Sequence, residues 1–162
     1  MWYDGSIMRV EIDQSGQIGK FNTDTVLALA NGERLAIVIP AAVKRAAHEY
    51  LREKYREIRE PYLRIFAASL FLLLKDYANK YDQIVIDEEF TGKWSTIKAF
   101  LVGYLRKLYP QFNPNVLQWR RIGKRSRAHE LALSIYRSRQ RKRKHPIKPN
   151  RIITKAELLA LL

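Results

Sequence analysis

Ten consecutive uncharged residues, Ile65 to Leu74 (IFAASLFLLL), lie between Arg64 and Lys75. Read as a helix, this run is apolar on every side and has to be covered on every side. At about 1.5 Å per residue it reaches only about half of the ~30 Å hydrocarbon layer of a bilayer, so it does not span one. The segment Tyr62 to Asn79 is therefore expected as a helix at the centre of a packed core, with a homodimer contact through residues 62–79 as a further way of covering it. A chain of 162 residues, 47% of them hydrophobic, has the material for one such core and is incompatible with wholesale disorder.

Around that helix the pattern alternates between strand and helix signals. Met8, Val10 and Ile12 alternate with polar positions within Ile7 to Ile18, a strand that runs into the bend Asp13-Gln14-Ser15-Gly16. Thr25 to Ala30 and Arg34 to Ile39 are β-rich runs separated by Asn31-Gly32, a hairpin signal, so the first three strands form an antiparallel meander. Pro40 suits the first turn of a helix over Ala41 to Arg59, which Pro61 ends or breaks. Gln83 to Phe90 (QIVIDEEF) contains Ile84-Val85-Ile86 without alternation, the mark of a strand covered on both faces. Ile97, Phe100, Leu101, Tyr104, Leu105 and Leu108 recur at helical spacing within Trp94 to Tyr109. Val116 to Ile122 reads as a fifth strand and Ser126 to Arg139 as the last long helix. Thr154-Lys155-Ala156-Glu157 has the form of a capping box and opens a short helix over Lys155 to Leu162. The expected class is α/β: a mixed five-stranded sheet, three antiparallel strands followed by two parallel crossover strands, with helices on its faces. Residues 1–140 are expected as the folded domain, and residues 141–162 as a basic tail with a short terminal helix.

The chain carries 30 Lys and Arg against 16 Asp and Glu, a net charge of +14, and the excess is concentrated. Arg120 to Arg151 holds 13 basic residues and one acid, Glu130. Such a stretch repels itself unless a polyanion faces it. Nucleic acid is the expected partner, its phosphates contacted by Arg120, Arg121, Lys124, Arg125, Arg127, Arg137, Arg139, Arg141, Lys142, Arg143 and Lys144. An acidic membrane surface fits less well, because Arg137 to Lys144 (RSRQRKRK) lacks the interleaved apolar face of an interfacial helix. The absence of cysteine removes disulfides, thiolate zinc sites and cysteine nucleophiles. His48, His129 and His145 show no zinc spacing, and Gly16-Gln17-Ile18-Gly19-Lys20 lacks the spacing of a phosphate-binding glycine loop. The amino-terminal MWYDGSIMRV has no basic run followed by an apolar core, so a cytoplasmic protein without a leader is expected.

Three short motifs stand against this background. Ile12-Asp13-Gln14-Ser15-Gly16 ends the first strand with an aspartate and a small, glycine-bearing bend. Ile84-Val85-Ile86-Asp87-Glu88-Glu89-Phe90 ends the central strand with an apolar triplet, acids and an aromatic, and Ala128-His129-Glu130-Leu131-Ala132-Leu133 lies in the last helix. Each has an ordinary structural reading: Asp13 can cap a turn, and the acids after Ile86 precede a helix whose amino terminus favours negative charge. Trp94 and Trp119 read either as core or rim residues or as base-stacking platforms. Taken with the order of elements over Ile7 to Arg139, these motifs resemble the ribonuclease H-like nuclease superfamily, and among its members the RuvC-type Holliday junction resolvases.

The resemblance implies a metal-dependent nuclease that hydrolyses phosphodiester bonds of structured nucleic acid. In that scheme two Mg²⁺ or Mn²⁺ ions are held about 4 Å apart by shared carboxylates, one activating water and the other stabilising the leaving oxygen. It assigns Asp13 and Asp87 as metal ligands and catalytic residues. Glu89 is added because it shares a strand face with Asp87. The remaining position falls on Glu130 in one alignment and on His129 in another, and the sequence leaves both open. His129 would ligate through neutral imidazole or carry a proton. The alternative is a nucleic-acid-binding protein that keeps the fold without catalysis.

Overall fold

Alternation along the first strand sets the layers of the molecule. In the computed structural model, which describes residues 6–162, this strand is β1 (Arg9–Ser15). Val10 and Ile12 join the larger apolar cluster on one face, while Glu11 and Asp13 occupy the other. Residues 1–5, part of the stretch read for a leader, lie outside the described residues.

Five more strands complete one mixed sheet: β2 (Thr25–Ala30), β3 (Leu35–Ile39), β4 (Gln83–Asp87), β5 (Leu117–Arg120) and β6 (Arg151–Ile152), in the order β5-β4-β1-β2-β3-β6. β1, β2 and β3 are the antiparallel meander, and β4 and β5 add in parallel beside β1. The five-stranded expectation needs correcting to six. β6 pairs in parallel with Ile37 and Val38 of β3, and Asn150 secures it by accepting the Ala36 N–H on its side-chain oxygen at 2.8 Å. Residues 150–162 thus rejoin the body, while residues 141–148 form an exposed loop.

The helices are α1 (Ala41–Lys54), α2 (Pro61–Leu74), α3 (Trp94–Leu108), α4 (Arg127–Gln140) and α5 (Lys155–Leu159). α2 is the core helix: twelve of its fourteen residues are buried, against β2 and β3 on one side and α1, α3 and α5 on the others. The expected homodimer contact over residues 62–79 therefore has no exposed apolar face on α2 to use; the chain's own elements cover it. α1 stops five residues earlier than its helix formers suggest, breaking at Tyr55 (φ −126°, ψ 87°), and Glu60, directly before Pro61, adopts φ 52°. α2 likewise ends with the apolar run at Leu74, before Asn79. α5 opens with the anticipated capping box, in which Thr154 Oγ1 accepts the Glu157 N–H and the Glu157 carboxylate accepts the Thr154 N–H. Among the described residues no helix is long and apolar enough to cross a membrane.

Among the described residues α4 is the one helix on the opposite face of the sheet. Leu131, Ala132 and Ile135 pack on Val26, Ala28, Ala36 and Val38, where small side chains on the strands let the helix come close. The loop after β1, residues 16–24, is held from two sides. Lys44 of α1 is fully buried, and its ammonium donates to the carbonyls of Gln17 and Lys20 and to Thr25 Oγ1. Gly16, at φ +74°, fits beneath Tyr136 of α4, and a Cβ there would overlap the Asp24 carbonyl oxygen and the Tyr136 ring. Gly16→Ala is therefore expected to destabilise the protein by about 3 kcal/mol or more, combining left-handed strain with a backbone clash. Urea unfolding measures it, and an unchanged midpoint would show that the loop yields freely.

Candidate active site

Parallel pairing of β1 with β4 brings two aspartates to neighbouring strand ends. Ile12 is registered with Ile86, so Asp13 and Asp87 occupy the next rung, on the face covered by α4. Asp13 is 4% exposed. Its Oδ1 accepts the Gln14 backbone N–H at 2.8 Å, and Asp87 Oδ1 accepts the Ile122 N–H at 2.9 Å. The second bond ties the loop after β5, with Arg121 and Lys124 on it, to the acid.

Glu89 comes from the segment beyond β4, not from the strand itself, which ends at Asp87. Carboxylate oxygens of Asp13, Asp87 and Glu89 all lie within 4.8 Å of one another. Three oxygen donors at this spacing suit a hard divalent cation such as Mg²⁺ or Mn²⁺, and they are uncomfortable without one. Burial raises the Asp13 carboxyl above its ordinary value despite the hydrogen bond from His129, and the Asp87 charge adds to the rise. Burial also pushes Glu89 up, to about 7, helped by the charges of Asp13 and Asp87 and opposed by a hydrogen bond from the Gln17 side chain.

His129 reaches the cluster because the start of α4 is fixed. Ser126 caps the helix by accepting the Ala128 N–H at 3.2 Å, while its hydroxyl donates to the buried Glu11 carboxylate at 3.5 Å. Glu11 also accepts the Asn31 side-chain amide at 2.7 Å. From this anchorage His129 Nδ1 lies 2.7 Å from Asp13 Oδ2, and with Asp13 ionised its N–H is the donor. In the neutral ring this bond leaves Nε2 unprotonated. Glu130 does not join the group. Successive helical residues are about 100° apart, and Glu130 lines a separate hollow with Arg34, Arg127 and Asn31. The competing assignments for α4 thus part here, with His129 at the acids and Glu130 away from them.

The acids and His129 line an open depression of about 240 Å³ with Gln14, Glu88, Arg121, Gly123 and Lys124. Of the basic residues predicted to meet phosphates, Arg121 and Lys124 stand at this rim, and Arg120 and Arg125 are exposed nearby in sequence. Arg127 is in the Glu130 hollow, and Arg139 is engaged by Asp24 at 2.9 Å. Arg137, Arg141, Lys142, Arg143 and Lys144 lie at the other end of α4. Trp94 and Trp119 stack on each other with centroids 4.7 Å apart, beside Phe66 of the core, which is the rim reading.

Sequence reasoning missed Glu11, Gln17, Lys44 and Ser126 as supports of the site. Glu11 carried a signal, since period-two alternation puts it on the face of Asp13. Ser126 also did, as a helix-capping type directly before the helix. Gln17 and Lys44 carried none, because their roles depend on the folded loop. No protein family, curated protein or solved structure matches this chain.

Proposed function

We propose that the protein is a divalent-cation-dependent nuclease with a ribonuclease H-like fold, acting on structured nucleic acid. The observation that carries this reading is the meeting of Asp13, Asp87 and Glu89, from a central pair of strands and the segment after them, with His129 hydrogen-bonded to one of the acids. The strand order gives support, since the meander and its two parallel additions follow the sequence on which the resemblance rests. The rim gives more, because Arg121 and Lys124 place positive charge beside the acids, where a phosphodiester would approach.

Asp13, Asp87 and Glu89 would hold Mg²⁺ or Mn²⁺. When bound, the cation supplies Lewis acidity that activates water and offsets the charge of the departing oxygen. The protein's own groups do the positioning. Arg121 and Lys124 bind the phosphates on either side of the cleaved bond, and Asp13 orients the His129 ring. His129 Nε2 would take the proton of the attacking water as the water oxygen bonds to phosphorus and the bond to the leaving oxygen breaks, the leaving oxygen taking its proton from solvent. RuvC-type junction resolution and a cytoplasmic location are the finer forms of this reading. A binding protein without catalysis is the second reading, favoured by Glu130 facing away, which leaves three carboxylates in the close cluster.

The deciding assay offers single-stranded, duplex, RNA–DNA hybrid and four-way-junction substrates with Mg²⁺ or Mn²⁺. Cleavage that a chelator stops is expected. Tight binding to all of them with no cut on any would leave the second reading.

The raised Glu89 predicts how pH enters. Metal needs the ionised carboxylate, so apparent Mg²⁺ affinity should rise by up to about tenfold per pH unit below 7 and level off above it. In the metal-free protein the sign is opposite to that of a salt-bridged acid. Between the ordinary value of 4.5 and about 7 the folded state binds more protons than the unfolded state, so this group removes stability as pH rises through that window. Melting curves at pH 5 and pH 8, with and without Mg²⁺, should show an alkaline loss that the metal restores. A metal effect equal at both values would count against Glu89 as a ligand.

A further inference from the structure

The positive charge of the last third of the chain divides in space. Arg121 and Lys124 are at the acid depression, whereas Arg137, Arg141, Lys142, Arg143, Lys144 and Lys148 gather at and beyond the far end of α4. These six are exposed, and none is in an ion pair among the described residues. A cation in the last turn of a helix has an ordinary role against the helix dipole, but that effect fades within the turn. It accounts for Arg137, not for the loop. The acid that shares a hollow with Lys142 and Arg143 is Asp24, which Arg139 already engages.

A seam leads from the acids to this loop. His129, Leu133, Tyr136 and Gln140 follow one another on a single line along α4. Tyr136 packs over Gly16, and its hydroxyl accepts the Gln140 side-chain amide at 2.7 Å. The hollow beside them is walled by Asn22, Thr23 and Asp24 of the β1–β2 loop. Arg139 and Asp24 continue into the next hollow, with Lys142 and Arg143. From His129 to Arg141 the helix rises about 18 Å. Phosphates of one strand of a duplex advance about 3.4 Å each, so this span is about five base pairs. Single strands are held on exposed aromatic platforms. The aromatic residue of this seam, Tyr136, is half-buried with its hydroxyl engaged, and the Trp94–Trp119 stack belongs to the core side of the sheet.

We propose that the loop after α4 is a second phosphate-binding surface, and that the substrate is a duplex whose backbone runs along α4 from the acid cluster to Arg141–Lys144. The place of the cut rests on the nuclease reading above, but the binding does not. Its test is fluorescence anisotropy on the full chain in EDTA, where nothing is cleaved. The probes are a duplex of about twelve base pairs and a twelve-nucleotide single strand. The parent is compared with a variant carrying Arg141→Ala, Lys142→Ala, Arg143→Ala and Lys144→Ala, all exposed positions.

The variant should bind the duplex at least about tenfold more weakly at ~0.1 M salt. Its log–log salt slope should be shallower by about 0.9 for each phosphate that the loop no longer neutralises. The ratio of twelve-base-pair to single-strand affinity should fall in the variant, because only the duplex reaches the acid cluster and the loop together. Equal binding of the duplex by variant and parent would overturn the proposal. So would a single strand binding as tightly as the duplex, or phosphatidylserine vesicles displacing the duplex at matched charge. Loss of duplex binding in a protein that cuts nothing would sink the nuclease reading alone. A metal-dependent cutter whose variant binds normally would sink this proposal alone.

Discussion

Asp13→Asn should reduce metal-dependent cleavage by at least about a thousandfold while leaving the fold intact. The amide is nearly isosteric, and its oxygen can still accept the Gln14 N–H that Oδ1 accepts in the parent. What disappears is the oxygen that His129 Nδ1 meets and the negative charge that a cation needs, from the most buried of the three clustered acids. Removing that charge also relieves repulsion with Asp87 and Glu89, so the metal-free variant should melt no lower than the parent and its Mg²⁺-induced stabilisation should vanish. Single-turnover cleavage and parallel melting curves measure both. A variant that cuts as fast as the parent would end the nuclease reading, and one that has lost activity by unfolding would show itself in the melting curve.

Lys44→Met should strongly destabilise the protein and loosen the site from outside the acids. The Lys44 ammonium is fully buried and serves two carbonyls and a hydroxyl of the loop after β1 and the strand that follows. Methionine fills similar volume but leaves those acceptors unsatisfied, a loss of about 3 kcal/mol and a melting temperature lower by roughly 10 °C for a domain of this size. The pH dependence separates this from a simple packing defect. Burial lowers the Lys44 amine from 10.5 to about 8, so between those values the unfolded state holds more protons than the folded state. The parent therefore gains stability from this group as pH rises from about 8 to 10.5, and the variant does not. Denaturant unfolding at pH 7.5 and pH 9.5 should show the gap between the two widening, and a constant gap would mean that no charge is buried there. Because the loop that Lys44 holds follows directly on Asp13, Mg²⁺ affinity should weaken in the variant as well.

Much of the sheet was readable because its signals are local. Asn31-Gly32 marked the hairpin, and Asn31 does adopt a left-handed φ of 73°. The uninterrupted apolar run marked α2, and Thr154 with Glu157 marked the start of α5. The placing of Asp13 and Asp87 at strand ends followed from where each apolar run gives way to acid. β6 escaped because two residues carry no periodicity, and its anchor is a bond between Asn150 and Ala36, 114 residues apart. Lys44 escaped because a lysine in a helix with polar neighbours looks like a surface residue until the β1–β2 loop folds over it. The choice between His129 and Glu130 turned on helix phase. One residue is a rotation of about 100°, well below what sequence-read boundaries resolve.

The lone helix on the far face has a kinetic consequence. α4 is held by a small cluster of Val, Ala, Leu and Ile side chains, whereas α2 is embedded in the main core. Elements that bury less apolar surface open locally at lower free energy than the globule unfolds, so amide protons of α4 should exchange well before those of α2. Each such opening withdraws His129 from Asp13 and carries the basic loop away with it. Proton acceptor and backbone grip would then come and go as one unit, and the resting population of assembled sites would be set by how firmly a single helix stays docked.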